Sequence, residues 1–188
     1  SGRYFLHAGS GGVVRQKGEC AAILGVPAET VQVVARDIGG NFGTKNSLFP
    51  EFPLVLWASK RIGRPVKWTC ERSEAFLSDY QGRDLVAKVE LAVDEKGKFL
   101  AVRGSHLSNI GGYAASIVPL RKGLTICTNV YRIPAAHFRA YAVLSNTMCT
   151  IPYRSAGRPE AVYLMERLCD LAADKTGIDR VSIRRRNL

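Results

Sequence analysis

The sequence LVAKVELAVDEKGKFLAVRGSH, residues 85–106, is the stretch from which we predict the fold class. In its first nine residues, apolar side chains recur at every second position, which is the period of a β-strand with one buried face. The next four residues, Asp-Glu-Lys-Gly at 94–97, have the composition of a turn, and residues 98–106 are suited to return as the partner strand. We therefore predict a β-hairpin at the centre of the chain.

Helical and extended segments alternate irregularly around this hairpin. A helix is predicted near Pro159 and is expected to stop at Gly177, and Asp179 is expected to cap a short second helix. Further helices are predicted at residues 13–24 and 52–62. Further extended segments are predicted at residues 4–7, 31–35, 65–70 and 132–144. Because strands and helices are mixed without strict βαβ alternation, we predict an α+β fold with a central hairpin and a C-terminal helix pair.

The composition is that of a globular protein with a strongly basic surface. The chain has 188 residues, 46% of them apolar, and its 27 Lys and Arg against 16 Asp and Glu give a net charge of +11. Such a charge suits nucleic acid, an anionic membrane surface, an anionic small molecule or an acidic partner. The only dense basic run is residues 184–186, without zinc-finger spacing or an RNP-like aromatic segment, so specific nucleic-acid binding is disfavoured. No apolar run approaches the ~20 residues that span a bilayer.

The five cysteines and three histidines suggest no metal site. The cysteines are irregularly spaced, their number is odd, and no histidine lies near one at ligand spacing, which favours buried thiols in a reducing compartment such as the cytoplasm. His7, His106 and His137 are isolated from one another, and we assign them no role.

Two loops are candidates for chemistry. Residues 39–45, GGNFGTK, follow a predicted strand, and successive glycines there let backbone amides approach an anion or an oxo group. The alternative is a tight turn with Phe42 inserted into the core. Residues 152–160, PYRSAGRPE, open the late helix, where small residues and two arginines suit an anion. The alternative there is a capping loop with solvated arginines.

At both loops the chain resembles the molybdenum hydroxylases, the family of xanthine dehydrogenase, aldehyde oxidase and the large chain of aerobic carbon monoxide dehydrogenase. The segment DIGGNFG, residues 37–43, is similar to the Gly-Gly-x-Phe-Gly loop of that family, and YRSAGRPE, residues 153–160, is similar to its second active-site loop. Residues 24–27, 131–134 and 178–188 also fit. The resemblance thus extends in order over nearly the whole chain.

The resemblance implies a molybdenum–pterin cofactor and the hydroxylation of an aldehyde or an N-heterocycle with oxygen from water. It also implies iron–sulfur clusters and FAD on partner domains or subunits, which take up the electrons. The protein itself is expected to supply no metal ligand. The positions that the resemblance assigns to cofactor binding are Gly39, Gly40, Phe42, Gly43, Tyr153, Arg154 and Ser155.

Several positions depart from the family pattern. Ser155 stands where carbon monoxide dehydrogenase has a copper-binding cysteine, so a hydroxylase is favoured over a carbon monoxide oxidiser, which stays as the alternative. Asn46 stands where purine-using members have a glutamate, and Asn41 replaces the third loop glycine. A non-catalytic basic module that binds nucleic acid or an acidic partner is the alternative of another class.

The family's general-base glutamate is expected downstream and its metal-facing glutamine upstream, so we predict no catalytic residue within this sequence. Residues 1–188 are then expected to be a single partial domain of a larger chain, inactive alone. The rest of that chain, the iron–sulfur and flavin subunits and a small-molecule substrate are the expected partners. An exposed apolar surface, and with it a homodimer or aggregates, is expected where the missing part would dock.

Overall fold

The computed structural model describes residues 2–188, and the chain divides into two compact units, one up to Asp79 and one from Tyr80 onward. In the first unit, two parallel strands, β1 (Tyr4–His7) and β2 (Val31–Val34), are joined through helix α1 (Val13–Leu24). Helices α2 (Glu51–Ile62) and α3 (Arg72–Ser78) follow. Their core is a cluster of buried side chains: Leu6, Cys20, Ala21, Val31 and Leu56.

The second unit contains the predicted hairpin. Strands β3 (Leu85–Val93) and β4 (Phe99–Gly111) pair antiparallel, as predicted. Strand β5 (Ala135–Leu144) adds to the other edge of β4 in parallel, which gives the order β3-β4-β5. A short helix, α4 (Val118–Leu124), lies in the connection between β4 and β5.

The C-terminal helix pair packs on this sheet. Helix α5 (Arg158–Thr176) buries an apolar stripe that includes Met165 and Leu168, in one core with Phe99 and Val102 of β4. Helix α6 (Arg180–Arg186) begins at Asp179, whose carboxylate accepts from the amides of the second and third helical residues at 3.1 and 2.9 Å. The predicted cap, the helix pair and the α+β class are therefore confirmed.

The strand predicted at residues 65–70 is wrong. That segment has no regular structure and is mostly exposed, and α3 follows it directly. A strand needs a hydrogen-bonded neighbour, and among the described residues the two-stranded sheet of this unit offers it none. No helix within residues 2–188 is both long and apolar enough to cross a membrane.

Candidate functional site

The first loop follows β2 and is built from backbone turns that few residues adopt. Gly39 and Gly43 have φ of +66° and +96°, and Phe42 has φ of +52°. Such left-handed conformations are uncommon outside glycine, and for a large side chain they cost on the order of 1–3 kcal/mol. Strain of this kind persists only where surrounding contacts impose it, and it is concentrated at functional sites.

The side chain of Asn41 stabilises the turn through hydrogen bonds to the loop's own backbone. Its Oδ1 accepts from the amides of Gly43 and Lys45, both at 3.1 Å, and its Nδ2 donates to Oδ1 of Asn46 at 2.9 Å. A Cβ on Gly11 would lie 1.8 Å from that Nδ2, so the glycine at position 11 leaves room for the hydrogen bond between the Asn41 and Asn46 side chains. The residue that replaces the family's third glycine therefore restricts the loop.

Phe42 is not inserted into the core. Its side chain is 60% exposed, which excludes the tight-turn alternative in the form predicted from the sequence. A Cβ on Gly40 would lie 2.3 Å from the Phe42 ring, so the ring lies over the glycine backbone. Within residues 2–188, the amides of Gly40, Asn41 and Phe42 have no hydrogen-bond acceptor. The loop thus presents an exposed ring beside three free N–H donors.

Gln16 is the supporting residue that sequence reasoning missed in this unit. Its side chain is fully buried, and its Nε2 donates to the carbonyl oxygens of Lys45 at 3.1 Å and Ser47 at 3.0 Å. Lys45 in turn donates its Nζ to the carbonyl oxygen of Ile38 at 2.6 Å. The only available signal was a polar residue on the apolar face of a predicted helix.

The second loop precedes α5 and contains three successive residues with positive φ. Ser155, Ala156 and Gly157 have φ of +71°, +33° and +87°. The Ala156 amide donates to the carbonyl oxygen of Tyr153 at 2.8 Å, and a Cβ on Gly157 would lie 1.9 Å from the carbonyl oxygen of Pro119. Glycine is therefore obligatory at 157, and the loop is a tightly wound entry to a 19-residue helix.

The polar groups of this loop are open to solvent. Tyr153, Arg154 and Ser155 are exposed, and so is Arg158. Among the described residues, the amides of Ser155 and Gly157 have no acceptor, and they lie at the positive end of the α5 dipole; Ser155 is exposed, whereas Gly157 is buried. The exposed arginines are as the capping-loop alternative predicts, but free donors at a helix N-terminus favour an anionic or oxo ligand.

The family described as the molybdopterin cofactor-binding domain matches residues 1–188. The chain belongs to this family.

Its similarity to individual members extends over most of the chain. It is 36% identical over 170 residues to the 6-hydroxypseudooxynicotine dehydrogenase complex subunit gamma of Paenarthrobacter nicotinovorans, which is 89% of this chain and 21% of that protein. It is 37% identical over 168 residues to the carbon monoxide dehydrogenase large chain of Hydrogenophaga pseudoflava, 87% of this chain and 21% of that one. The predicted resemblance to molybdenum hydroxylases is confirmed.

A solved structure gives the same fold. The chain superposes on quinoline 2-oxidoreductase from Pseudomonas putida 86 with a TM-score of 0.94 and 30% identity, over 99% of this chain and 24% of that one. The molybdopterin-binding chain described here thus spans about a fifth to a quarter of the length of the relatives it matches.

The residues present fit a molybdopterin cofactor as hydrogen-bond donors. No group of three or more His, Cys, Asp or Glu that can hold a metal ion occurs within residues 2–188. A pterin dithiolene brings sulfur ligands of its own, so the domain needs to supply donors to oxygen atoms rather than metal ligands. The free amides of the two loops are such donors, since N–H groups in left-handed turns form concave anion sites.

The histidines have no part in these loops. His7 and His137 are exposed, whereas His106 is buried on β4 with its ring centroid 5.5 Å from that of Phe138. Burial lowers the pKa of His106, and its Nε2 has no partner among the described residues. His106 is therefore a neutral core residue at physiological pH.

Proposed function

We propose that this chain is a partial domain of the large chain of a molybdenum hydroxylase, whose whole enzyme hydroxylates an aldehyde or an N-heterocycle with oxygen from water. The observation that carries the proposal is the first loop, where three free amides and an exposed Phe42 are held together by a strained backbone. Membership of the molybdopterin-binding family supports it. The similarity to quinoline 2-oxidoreductase favours an N-heterocycle, since quinoline is one.

The proposed cofactor residues act through the backbone and one ring. Gly40 and Phe42 present amides that can donate to an oxygen of the cofactor, and Gly39 and Gly43 provide the turns that orient them. The exposed Phe42 ring offers a flat apolar wall against which an aromatic substrate packs. When bound, the cofactor supplies the molybdenum centre at which the substrate C–H bond is oxidised.

The second loop, which belongs to the other unit, is likewise proposed to supply hydrogen-bond donors to the cofactor. Ser155 supplies a free amide and an exposed hydroxyl, and Tyr153 and Arg154 flank it. Arg154 adds a positive charge that favours an anionic pterin. We assign no general base to this chain: the resemblance puts the family's general-base glutamate downstream of these residues, and Glu160, the carboxylate of the second loop, is paired with Arg83.

The remaining parts of the proposal concern the whole protein. Iron–sulfur clusters and FAD on partner domains or subunits take up the electrons, and a cytoplasmic location fits five free cysteines. The names of the relatives, a complex subunit gamma and a large chain, support an assembly of several subunits.

Oxidation of carbon monoxide is the second candidate, supported by the similarity to a carbon monoxide dehydrogenase large chain. Ser155 argues against it, because the resemblance puts a copper-binding cysteine at this position. A serine hydroxyl is a hard donor and a poor ligand for Cu(I), which prefers thiolate.

A basic nucleic-acid module is not favoured. Arg184 donates to the carboxylates of Glu166 at 2.7 Å and Asp170 at 2.8 Å, and Arg186 donates to the carbonyl oxygen of Lys96 at 2.6 Å. Two of the three terminal arginines are thus engaged within their own unit and are less available to phosphates.

The test is the metal content and reaction of the full-length protein purified with its partner chains. We expect about one molybdenum per large chain and no copper by elemental mass spectrometry. We also expect ¹⁸O from labelled water in the product of an N-heterocycle or an aldehyde. Equal molybdenum and copper would establish the carbon monoxide candidate instead, and intact protein with neither metal would refute both.

A further inference from the structure

The Arg83 side chain donates hydrogen bonds to three residues of the second loop, Tyr153, Arg154 and Glu160. Its Nη1 donates to both carboxylate oxygens of Glu160 at 3.2 and 3.3 Å, in the first turn of α5. Its Nη2 donates to the carbonyl oxygens of Arg154 at 2.5 Å and Tyr153 at 3.4 Å. The guanidinium also lies 5.2 Å from the centroid of the Tyr153 ring. One side chain therefore contacts the loop before its strained turn and again after it.

Backbone hydrogen bonds of the segment before β3 place Arg83 next to the second loop. The amide of Gln81 donates to the carbonyl oxygen of Cys149 at 2.9 Å, and the amide of Ile151 donates to the Gln81 carbonyl oxygen at 3.0 Å. This bridge ties the segment before β3 to the chain that enters the loop. Arg83 itself has φ of +60°, a conformation rare for a long side chain. The backbone at Arg83 itself is therefore left-handed, like that of residues 155–157 in the loop it contacts.

The ion pair between Arg83 and Glu160 is less exposed to water than a second ion pair in the same unit. The side chains of Arg83 and Glu160 are 32% and 16% exposed, whereas those of Arg103 on β4 and Glu90 on β3 are 73% and 66% exposed. Lower exposure strengthens a charge-assisted hydrogen bond, so we expect the first pair to contribute more to stability than the second. Only a planar guanidinium can reach a carboxylate and two carbonyls while stacking on a ring.

We propose that Arg83 is a positioning residue that holds the second loop in its left-handed turn and so sets the direction of the Ser155 amide. Three successive positive-φ residues need contacts at both ends to persist, and Arg83 supplies them at Tyr153, Arg154 and Glu160. As far as the metal centre is concerned, this inference rests on the proposed function.

The test uses the full-length protein in its complex, with Arg83→Lys and Arg83→Ala and with Arg103→Ala as the matched control. Hydrogen exchange by mass spectrometry reports the loop whether or not a cofactor is bound. We expect exchange of the Ala156 amide, which donates to the Tyr153 carbonyl oxygen at 2.8 Å, to rise at least tenfold in Arg83→Ala and severalfold in Arg83→Lys. Exchange in β3 should stay at the wild-type rate, and Arg103→Ala should change neither segment.

The second measurement is the Mo(V) electron paramagnetic resonance spectrum at equal molybdenum content. We expect shifted g-values in both Arg83 variants and an unchanged spectrum in Arg103→Ala. If Arg83→Ala does not fold, Arg83→Lys supplies both measurements. Wild-type exchange at the Ala156 amide would overturn the proposal, as would an equal rise at Ala156 and in β3. Wild-type protein without molybdenum would refute the proposed function while the exchange result still decides the role of Arg83.

Discussion

Gln16 and Ser47 lie 31 residues apart, and the side-chain amide of Gln16 donates to the Ser47 carbonyl oxygen at 3.0 Å. The same nitrogen donates to the Lys45 carbonyl oxygen at 3.1 Å, and the side chain has no exposed surface. Helix α1 therefore holds the end of the first loop through one buried carboxamide. The loop that presents Phe42 thus depends on a residue with no direct part in chemistry.

Replacement of Gln16 by Leu should loosen this loop without unfolding the unit. The buried Ser47 carbonyl oxygen loses its donor, which costs about 1–3 kcal/mol, whereas the Lys45 carbonyl oxygen keeps the Gly11 amide at 2.9 Å. We expect the opening free energy of the hydrogen-bonded amides of residues 43–46 to fall by that amount, measured by hydrogen exchange on the full-length protein. Gln32→Leu, at an exposed glutamine of β2, is the control and should have no effect there. Equal effects of the two substitutions would contradict the role of Gln16.

Phe42→Ala should affect the substrate more than stability. Since the ring is 60% exposed, its loss should change the free energy of unfolding by less than about 0.5 kcal/mol. We expect KM for an N-heterocycle to rise by roughly tenfold at unchanged molybdenum content, because an aromatic wall contributes to binding. Phe76→Ala, at a 75% exposed phenylalanine of α3, serves as the control. An unchanged KM in Phe42→Ala would rule out contact between ring and substrate.

Asn187→Ala should be the most destabilising of these substitutions. Asn187 is 2% exposed, its Nδ2 donates to the carbonyl oxygens of Gly97 and Ile183, both at 2.8 Å, and its Oδ1 accepts from the Phe99 amide at 2.8 Å. The carbonyl oxygens of Gly97 and Ile183 and the amide of Phe99 lose a buried partner, so we expect the free energy of unfolding to fall by roughly 2–4 kcal/mol. Thermal and urea unfolding measure it, and Asn146→Ala, at an exposed asparagine, is the reference. A loss below 1 kcal/mol would mean that water replaces the amide.

The buried thiols should make the protein less stable in alkali. Burial raises the pKa of Cys169 from its ordinary value near 9 to about 11, and burial likewise raises the pKa of Cys20 to about 11. A raised pKa means that the folded state favours the protonated thiol. This contribution is complete below pH 9 and is lost as the pH rises from 9 through 11.

Two measurements check this. At pH 8 roughly 0.1% of either thiol is ionised, so iodoacetamide should modify partly exposed Cys70 and Cys127 before Cys20 and Cys169. Between pH 9 and 11 the unfolding temperature should fall, and Cys169→Ala should reduce that slope. Rapid alkylation of Cys169 in folded protein would show that its burial is not maintained in solution.

The local sequence determined most of the secondary structure. Alternation in residues 85–93 and the Asp-Glu-Lys-Gly turn predicted the hairpin, and Asp179 predicted the start of α6, because these signals act between near neighbours. The strand prediction for residues 65–70 was wrong because these same local signals carry no information about a distant pairing partner. Propensity can favour an extended chain, but only a distant partner makes it a strand.

The glycine motifs identified both loops, and with them the family, since left-handed turns leave a mark in the local sequence. What only the tertiary structure decided is how each loop is held. Gln16 and Arg83 reach their loops from 29 and 70 residues away, and neither belongs to a recognisable pattern. A contact between residues far apart in sequence depends on where the fold places them, and a single sequence contains no local signal of that placement.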